Sequence, residues 1–219
     1  MAENTDDHLF DEIEEDLRAE RYAKLWKRYG KLVITGIVLL VASVAGYQGW
    51  QAYDRQQRAE QSERFAAAAK LLSEKKPQEA QKVFSALSAE GRSGYRLLAS
   101  LRQASILSEK GDHAGAQKIY DAIAADSGFD QIYRDFATLL AVLSKLDTGD
   151  PAALIQKLKP LTEDDNTWRF SAKEASALLS LRAGKQKEAY DKLVALANDA
   201  TTPQGIRARA LELSAAIKP

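Results

Sequence analysis

Apolar and polar positions along this chain change rhythm three times. Between residues 7 and 29, Leu9, Ile13 and Leu17 recur at four-residue spacing with Phe10 beside them, which makes one apolar stripe on a helix. Asp7, Asp11, Glu12, Glu14 and Glu15 come early and the arginines and lysines late, the order that complements a helix dipole. Then charge stops: the 22 residues from Leu32 to Tyr53 carry none. At ~1.5 Å rise per residue a helix of that length covers about 33 Å, enough for the roughly 30 Å hydrocarbon layer of a bilayer. Trp26 and Tyr29 precede this run, and Tyr47, Trp50 and Tyr53 close it, where amphipathic rings settle at the headgroup level.

From Asp54 onward the rhythm is that of a longer repeat. Glu79-Ala80-Gln81-Lys82-Val83-Phe84, Gly115-Ala116-Gln117-Lys118-Ile119-Tyr120 and Glu188-Ala189-Tyr190-Asp191-Lys192-Leu193 superimpose without gaps, and a weaker copy starts at Ala153-Leu154. The anchors Ala80, Ala116, Leu154 and Ala189 are 36, 38 and 35 residues apart. Four positions on come Phe84, Tyr120, Leu158 and Leu193, and seven on come Leu87, Ile123, Leu161 and Leu196. Twelve before each anchor lie Ala68, Ala104, Val142 and Ala177, and five before lie the turn positions Lys75, Gly111, Gly149 and Gly184. The pattern predicts helical hairpins: a small residue on each helix lets two backbones approach, and a left-handed residue stops the first helix. One hairpin alone cannot bury its apolar face, so the units must stack. Pro160 falls inside the second helix of the third unit and predicts a shortened or kinked helix there. Residues 203–217 form a last helix.

The expected fold is all-α. A cytoplasmic tail with an amphipathic helix (1–31) leads into a transmembrane helix (32–53), followed by an exported α-solenoid of about four degenerate hairpins (54–219). Orientation follows from charge. Arg18, Arg21, Lys24, Lys27, Arg28 and Lys31 crowd the near side of the span, against Arg55, Arg58 and Arg64 over an equal stretch beyond it. Basic residues beside a span stay in the cytoplasm, so the N-terminus lies inside and, in a bacterium, the long C-terminal part in the periplasm. Ser43-Val44-Ala45 resembles a signal-peptide cleavage site, but an acidic leader of 31 residues before the apolar core does not fit a cleaved signal, and the anchor is expected to be retained. The tail helix reads either as a docking helix or as a helix lying on the inner leaflet, its basic end on anionic lipid.

Composition mainly excludes. Residues 1–31 carry six basic and nine acidic groups within a chain of zero net charge, so the remainder is at +3, with no basic face of the kind that binds nucleic acid. There is no cysteine, hence no disulfide or thiolate metal site. His8 and His113 stand alone, without metal-ligand spacing, and no phosphate loop, Gly-x-Ser-x-Gly or His-Glu-x-x-His motif occurs. Glu163-Asp164-Asp165 is placed to serve the dipole of a following helix capped by Asn166 or Thr167. No catalytic residue, cofactor or metal is expected.

The repeat resembles tetratricopeptide repeats, whose second helix carries alanine and then a large residue four later. The approach ending in Gly30-Lys31, then Gly36, Leu39-Leu40, Gly46 and Trp50, the charged helix from Asp54 to Arg64, and the repeats together resemble the YfgM-type ancillary subunit of the SecYEG translocon. That resemblance implies a non-enzymatic inner-membrane helper whose partners are SecYEG, a periplasmic chaperone or foldase, unfolded polypeptides in transit and membrane lipid. If the repeats stack as in that family, a mostly apolar groove is lined by Phe65, Ala69, Leu98, Leu101, Phe136, Leu139, Leu143 and Leu178, with Ser62, Ser105, Ser171 and Glu174. The same residues also fit the ordinary core of stacked helices. A tetratricopeptide scaffold for envelope or division complexes is the alternative role.

Overall fold

The computed structural model describes residues 3–91 and 93–218, with side chains for 23–91 and 94–218. Among the described residues there are nine α-helices and no strand: α1 Glu3–Ser73, α2 Pro77–Glu90, α3 Ser93–Glu109, α4 His113–Ala125, α5 Gln131–Leu143, α6 Pro151–Leu158, α7 Arg169–Arg182, α8 Gln186–Asn198 and α9 Gln204–Ala216. A 3₁₀ turn, Lys159–Thr162, follows α6. Two compact units divide the chain, Met1–Ala59 and Glu60–Pro219.

In the first unit, the tail helix and the span form one unbroken element. No proline occurs before Pro77, and isolated glycines cost a helix only about 1 kcal/mol each. The stripe of Leu9, Phe10, Ile13 and Leu17 lies outside the residues with described side chains. Within the apolar run every large aliphatic side chain from Leu32 to Val44 is exposed. The two hydroxyls there are satisfied inside the helix: Thr35 Oγ1 donates to Lys31 O at 2.8 Å and Ser43 Oγ to Leu39 O at 2.8 Å. In a medium without water, such back-bonding is what makes a hydroxyl tolerable. Among the described residues, α1 alone is long and apolar enough to cross a membrane.

In the second unit each helix from α2 to α9 packs on the next in sequence. The end of α1 joins this succession through a core of Ala68, Ala80, Phe84, Leu87, Ala99 and Ile106. Ala68 and Ala80, Ala104 and Ala116, and Ala177 and Ala189 are all fully buried, as the repeat requires of its small-residue pairs. Three turns share one construction. Lys75, Gly111 and Gly184 are left-handed (φ 59, 82 and 75). Around them the N–H groups of Lys75, Gly111 and Gly184 bond to Leu72, Ser108 and Leu181, and those of Lys76, Asp112 and Lys185 reach back to Leu71, Leu107 and Ser180. This is the Schellman closure, which satisfies carbonyls that a helix end would otherwise leave open.

The third hairpin departs. α5 ends at Leu143, its cap Ser144 stays right-handed, and the connection runs on to Asp150. Gly149 is therefore not the left-handed stop expected from its register. It is glycine by close approach, because a Cβ there would lie 2.9 Å from Leu154 Cδ1 and 3.2 Å from the Lys145 carbonyl oxygen. Asp150 starts α6 by accepting from Ala153 N at 2.9 Å, as Asp112 starts α4 from Gly115 N at 2.8 Å. Pro160 sits in the 3₁₀ turn and limits α6 to 8 residues. The cap of α7 is Trp168 rather than Asn166 or Thr167; Asn166 Oδ1 instead accepts from Trp168 N at 2.8 Å, two residues ahead of the cap position.

Candidate functional site

The residues expected to line a groove come from the first helix of each hairpin: the end of α1, then α3, α5 and α7. Their fates differ along the stack. Ala69 is exposed, and Phe65 is half-buried, its ring edge-on to Phe84 at 5.3 Å and tilted against Tyr95 at 6.0 Å. Leu98 is 46% exposed, whereas Leu101 is half-buried and bridges two core clusters. Phe136 is half-buried beneath Trp168, stacked at 4.6 Å, and the indole N–H donates to Ile132 O at 2.9 Å. Leu139 is 3% exposed and packs with Val142, Leu158 and Leu179 in the core. Leu143 is 42% exposed and Leu178 is half-buried. Leu139 therefore holds the fold from inside, and Leu98, Leu143 and Ala69 are the members open to a partner.

The flanking polar positions also separate. Ser62 is exposed; Ser105 Oγ donates to Glu109 Oε1 at 3.1 Å. Glu174 is taken up by Arg209 of α9, with 2.7 and 2.8 Å contacts from Nε and a terminal nitrogen. The guanidinium charge is reinforced by this carboxylate, which raises its pKa further.

One apolar cavity of about 370 Å³ gathers Leu98 with Leu97, Phe129 and Tyr133, and Asp130 also lines it. Tyr133 and Ile132 are both exposed, 44% and 41%. The repeat register does not single them out, since they lie in the first turn of α5, upstream of the repeating positions. Arg96 completes this end: its guanidinium lies 4.4 Å over the Phe129 ring and pairs with Asp126 at 3.0 Å. Among the described residues no group of three His, Asp or Glu side chains is placed to hold a metal.

The stacking of hairpins, the buried small-residue pairs and the repeated turns identify the architecture, and the tetratricopeptide repeat-like domain family matches residues 23–201. The chain belongs to that family. The tetratricopeptide repeat-like match begins before Trp26, so it takes in the basic aromatic approach and the apolar run as well as α2 to α8. No curated protein and no solved structure matches the chain. A tetratricopeptide repeat-like domain points to a scaffold for protein–protein interaction, which suits the exposed apolar side chains of Leu98, Ile132, Tyr133 and Leu143.

Proposed function

We propose that this protein is a non-enzymatic, single-pass subunit of a bacterial inner membrane, its N-terminus cytoplasmic and its α-solenoid of about four hairpins periplasmic. In this reading it is ancillary to the Sec translocon and links that channel to a periplasmic chaperone or foldase and to emerging polypeptides. The observation that carries the reading is the continuity of the family match across the apolar span and the repeats, residues 23–201. The same stretch holds the features shared with YfgM-type subunits: the aromatic approach, Gly30-Lys31, the softer exit of the span, and the degenerate hairpins. Support for the span comes from its aliphatic side chains, all exposed and so available to lipid, and from Trp26, Tyr29, Tyr47 and Trp50 exposed at its two ends.

The chain has no cysteine, which makes its topology directly readable. Ala23→Cys and Ala66→Cys, both exposed positions, are tested separately with a membrane-impermeant maleimide on spheroplasts. Labelling of position 66 in intact spheroplasts, and of position 23 only after lysis, is expected. The reverse pattern overturns the orientation. A photo-crosslinking residue placed at Leu98 or Leu143 then captures translocon subunits, a foldase or nascent chains; capture of division proteins instead supports the envelope scaffold.

A further inference from the structure

Pro160 does more than shorten a helix. It lacks the N–H that would continue α6, and in a continued helix its ring would clash with the preceding turn, so the chain leaves α6 through the 3₁₀ turn. Beside that break opens a cavity of about 450 Å³, bounded by α6 with its 3₁₀ turn, by α7 and by α8. Its apolar wall is made by Ile155, Ala195 and Leu196, and three lysines also line it, Lys159, Lys173 and Lys192. Asp199 is its one acidic lining residue, and Thr201 already donates to that carboxylate from both its backbone and its hydroxyl.

The three lysines are not equivalent. Lys192 is fixed: Nζ donates to Ser176 Oγ at 3.1 Å, to Ser180 Oγ at 2.9 Å and to Glu188 Oε1 at 2.7 Å. All three of its protons are used in these contacts, which hold the side chain in place. Lys173 faces Asp164 at 3.2 Å, a carboxylate that is 98% exposed, and also feels the charge of Asp199 across the cavity; such exposed pairs exchange partners at little cost. Lys159 is exposed and, among the described residues, forms no ion pair. Beside an aliphatic wall, Lys159 is thus unpaired and Lys173 only loosely paired, while Glu188 balances the charge of Lys192.

We propose that this slot binds an acidic–aliphatic stretch of a partner polypeptide. A Leu, Ile or Val side chain enters between Ile155 and Leu196, and a neighbouring Asp or Glu carboxylate meets Lys159 and Lys173. A basic segment would bring a further positive charge to Lys159 and Lys173. The volume takes one or two side chains rather than the paired acyl chains of a phospholipid. The inference rests on the chain being a protein-interaction module, and is independent of which membrane complex it joins.

The test uses the full-length protein in phosphatidylcholine nanodiscs and fluorescence anisotropy of a labelled peptide with Leu-Asp-Glu-Leu at its centre, flanked by Gly and Ser. Two controls replace the acids by Lys or the leucines by Ala. The acidic–aliphatic peptide binds, and each control binds on the order of tenfold more weakly. The double variant Lys159→Glu, Lys173→Glu loses a similar factor, and so does Ala195→Trp, which fills the slot without altering charge. If melting shows the double variant unfolded, Lys159→Gln on the exposed turn carries the charge arm. Equal binding of all three peptides, unchanged binding by the variants, or binding of short-chain phosphatidylglycerol but no peptide overturns the proposal. A wild-type sample that keeps its co-purifying proteins yet binds no peptide defeats the slot alone; loss of both defeats the interaction reading.

Discussion

Arg209 of α9 grips Glu174 of α7 with two parallel hydrogen bonds, 2.7 and 2.8 Å, across a pair in which the carboxylate is 13% exposed and the guanidinium 56%. The asymmetry sets a prediction. Arg209→Met leaves a nearly buried carboxylate without its partner and destabilises the domain by about 2 kcal/mol, whereas Glu174→Gln frees a group that water can reach and costs about 1 kcal/mol. Urea unfolding of the two variants checks the order. Equal losses, or a larger loss for Glu174→Gln, would show that burial of the carboxylate does not govern the contact.

The turns give a second prediction, with opposite signs at neighbouring units. Gly111 and Gly184 are left-handed with open space where a Cβ would go, so Gly→Ala at either costs about 1 kcal/mol from backbone conformation alone. Lys75 occupies the same conformation with a side chain, and Lys75→Gly stabilises by roughly half of that, about 0.5 kcal/mol. Gly149→Ala is destabilising for a different reason, the clash with Leu154 and Lys145. Thermal melting followed by far-ultraviolet circular dichroism separates these cases; a destabilising Lys75→Gly would contradict the shared closure.

Much of this was legible in the sequence because stacked hairpins repeat their contacts at a fixed period. Ala68 with Ala80 and Ala104 with Ala116 fall where the spacing puts them, and Lys75, though not glycine, holds the turn the register demands. Periodicity says which positions face another helix, but not how completely that neighbour covers them. The equivalent positions Phe65, Leu101, Leu139 and Glu174 come out as two half-buried residues, a core leucine and an ion pair. Leu139 is sealed because α6 and α7 close over it, and Glu174 is claimed by α9, a helix with no repeat signature. Gly149 misled because proximity, rather than backbone handedness, selects glycine there.

Substitutions on the first helices therefore divide by burial. Leu139→Glu places a charge in a sealed core and unfolds the domain, a loss of several kcal/mol, about 3 or more. Leu98→Glu and Leu143→Glu put the charge in water, stay within about 0.5 kcal/mol of wild type, and reduce partner crosslinks. Melting curves beside crosslink yields settle it. Folded Leu98→Glu and Leu143→Glu proteins with undiminished crosslinks would remove these residues from the binding surface.

Acid should weaken the second unit through three carboxylates held below their ordinary range. Glu188 is lowered by the hydrogen bond from Lys192, and Asp199 by the hydroxyl and backbone of Thr201. At Asp121 partial burial pushes upward, but hydrogen bonds from Lys157 and Gln117 and the charge of Lys157 outweigh it. A depressed carboxylate contributes stability that is complete above its unfolded pKa and is lost as pH falls through the folded one. The melting temperature is expected to be nearly flat from about pH 7 to 5 and to drop below about pH 4. Lys192→Met removes the cause at Glu188 and makes the acid slope shallower; an unchanged slope would rule Glu188 out as a contributor.

The most direct measurement is purification of the tagged full-length protein from its own membranes in a gentle detergent, with co-purifying proteins identified by mass. The account predicts enrichment of translocon subunits together with a periplasmic chaperone or foldase, and an intact mass that retains residues 1–45. Recovery of division or cell-wall proteins in their place, or a mass lacking the N-terminal segment, would contradict it.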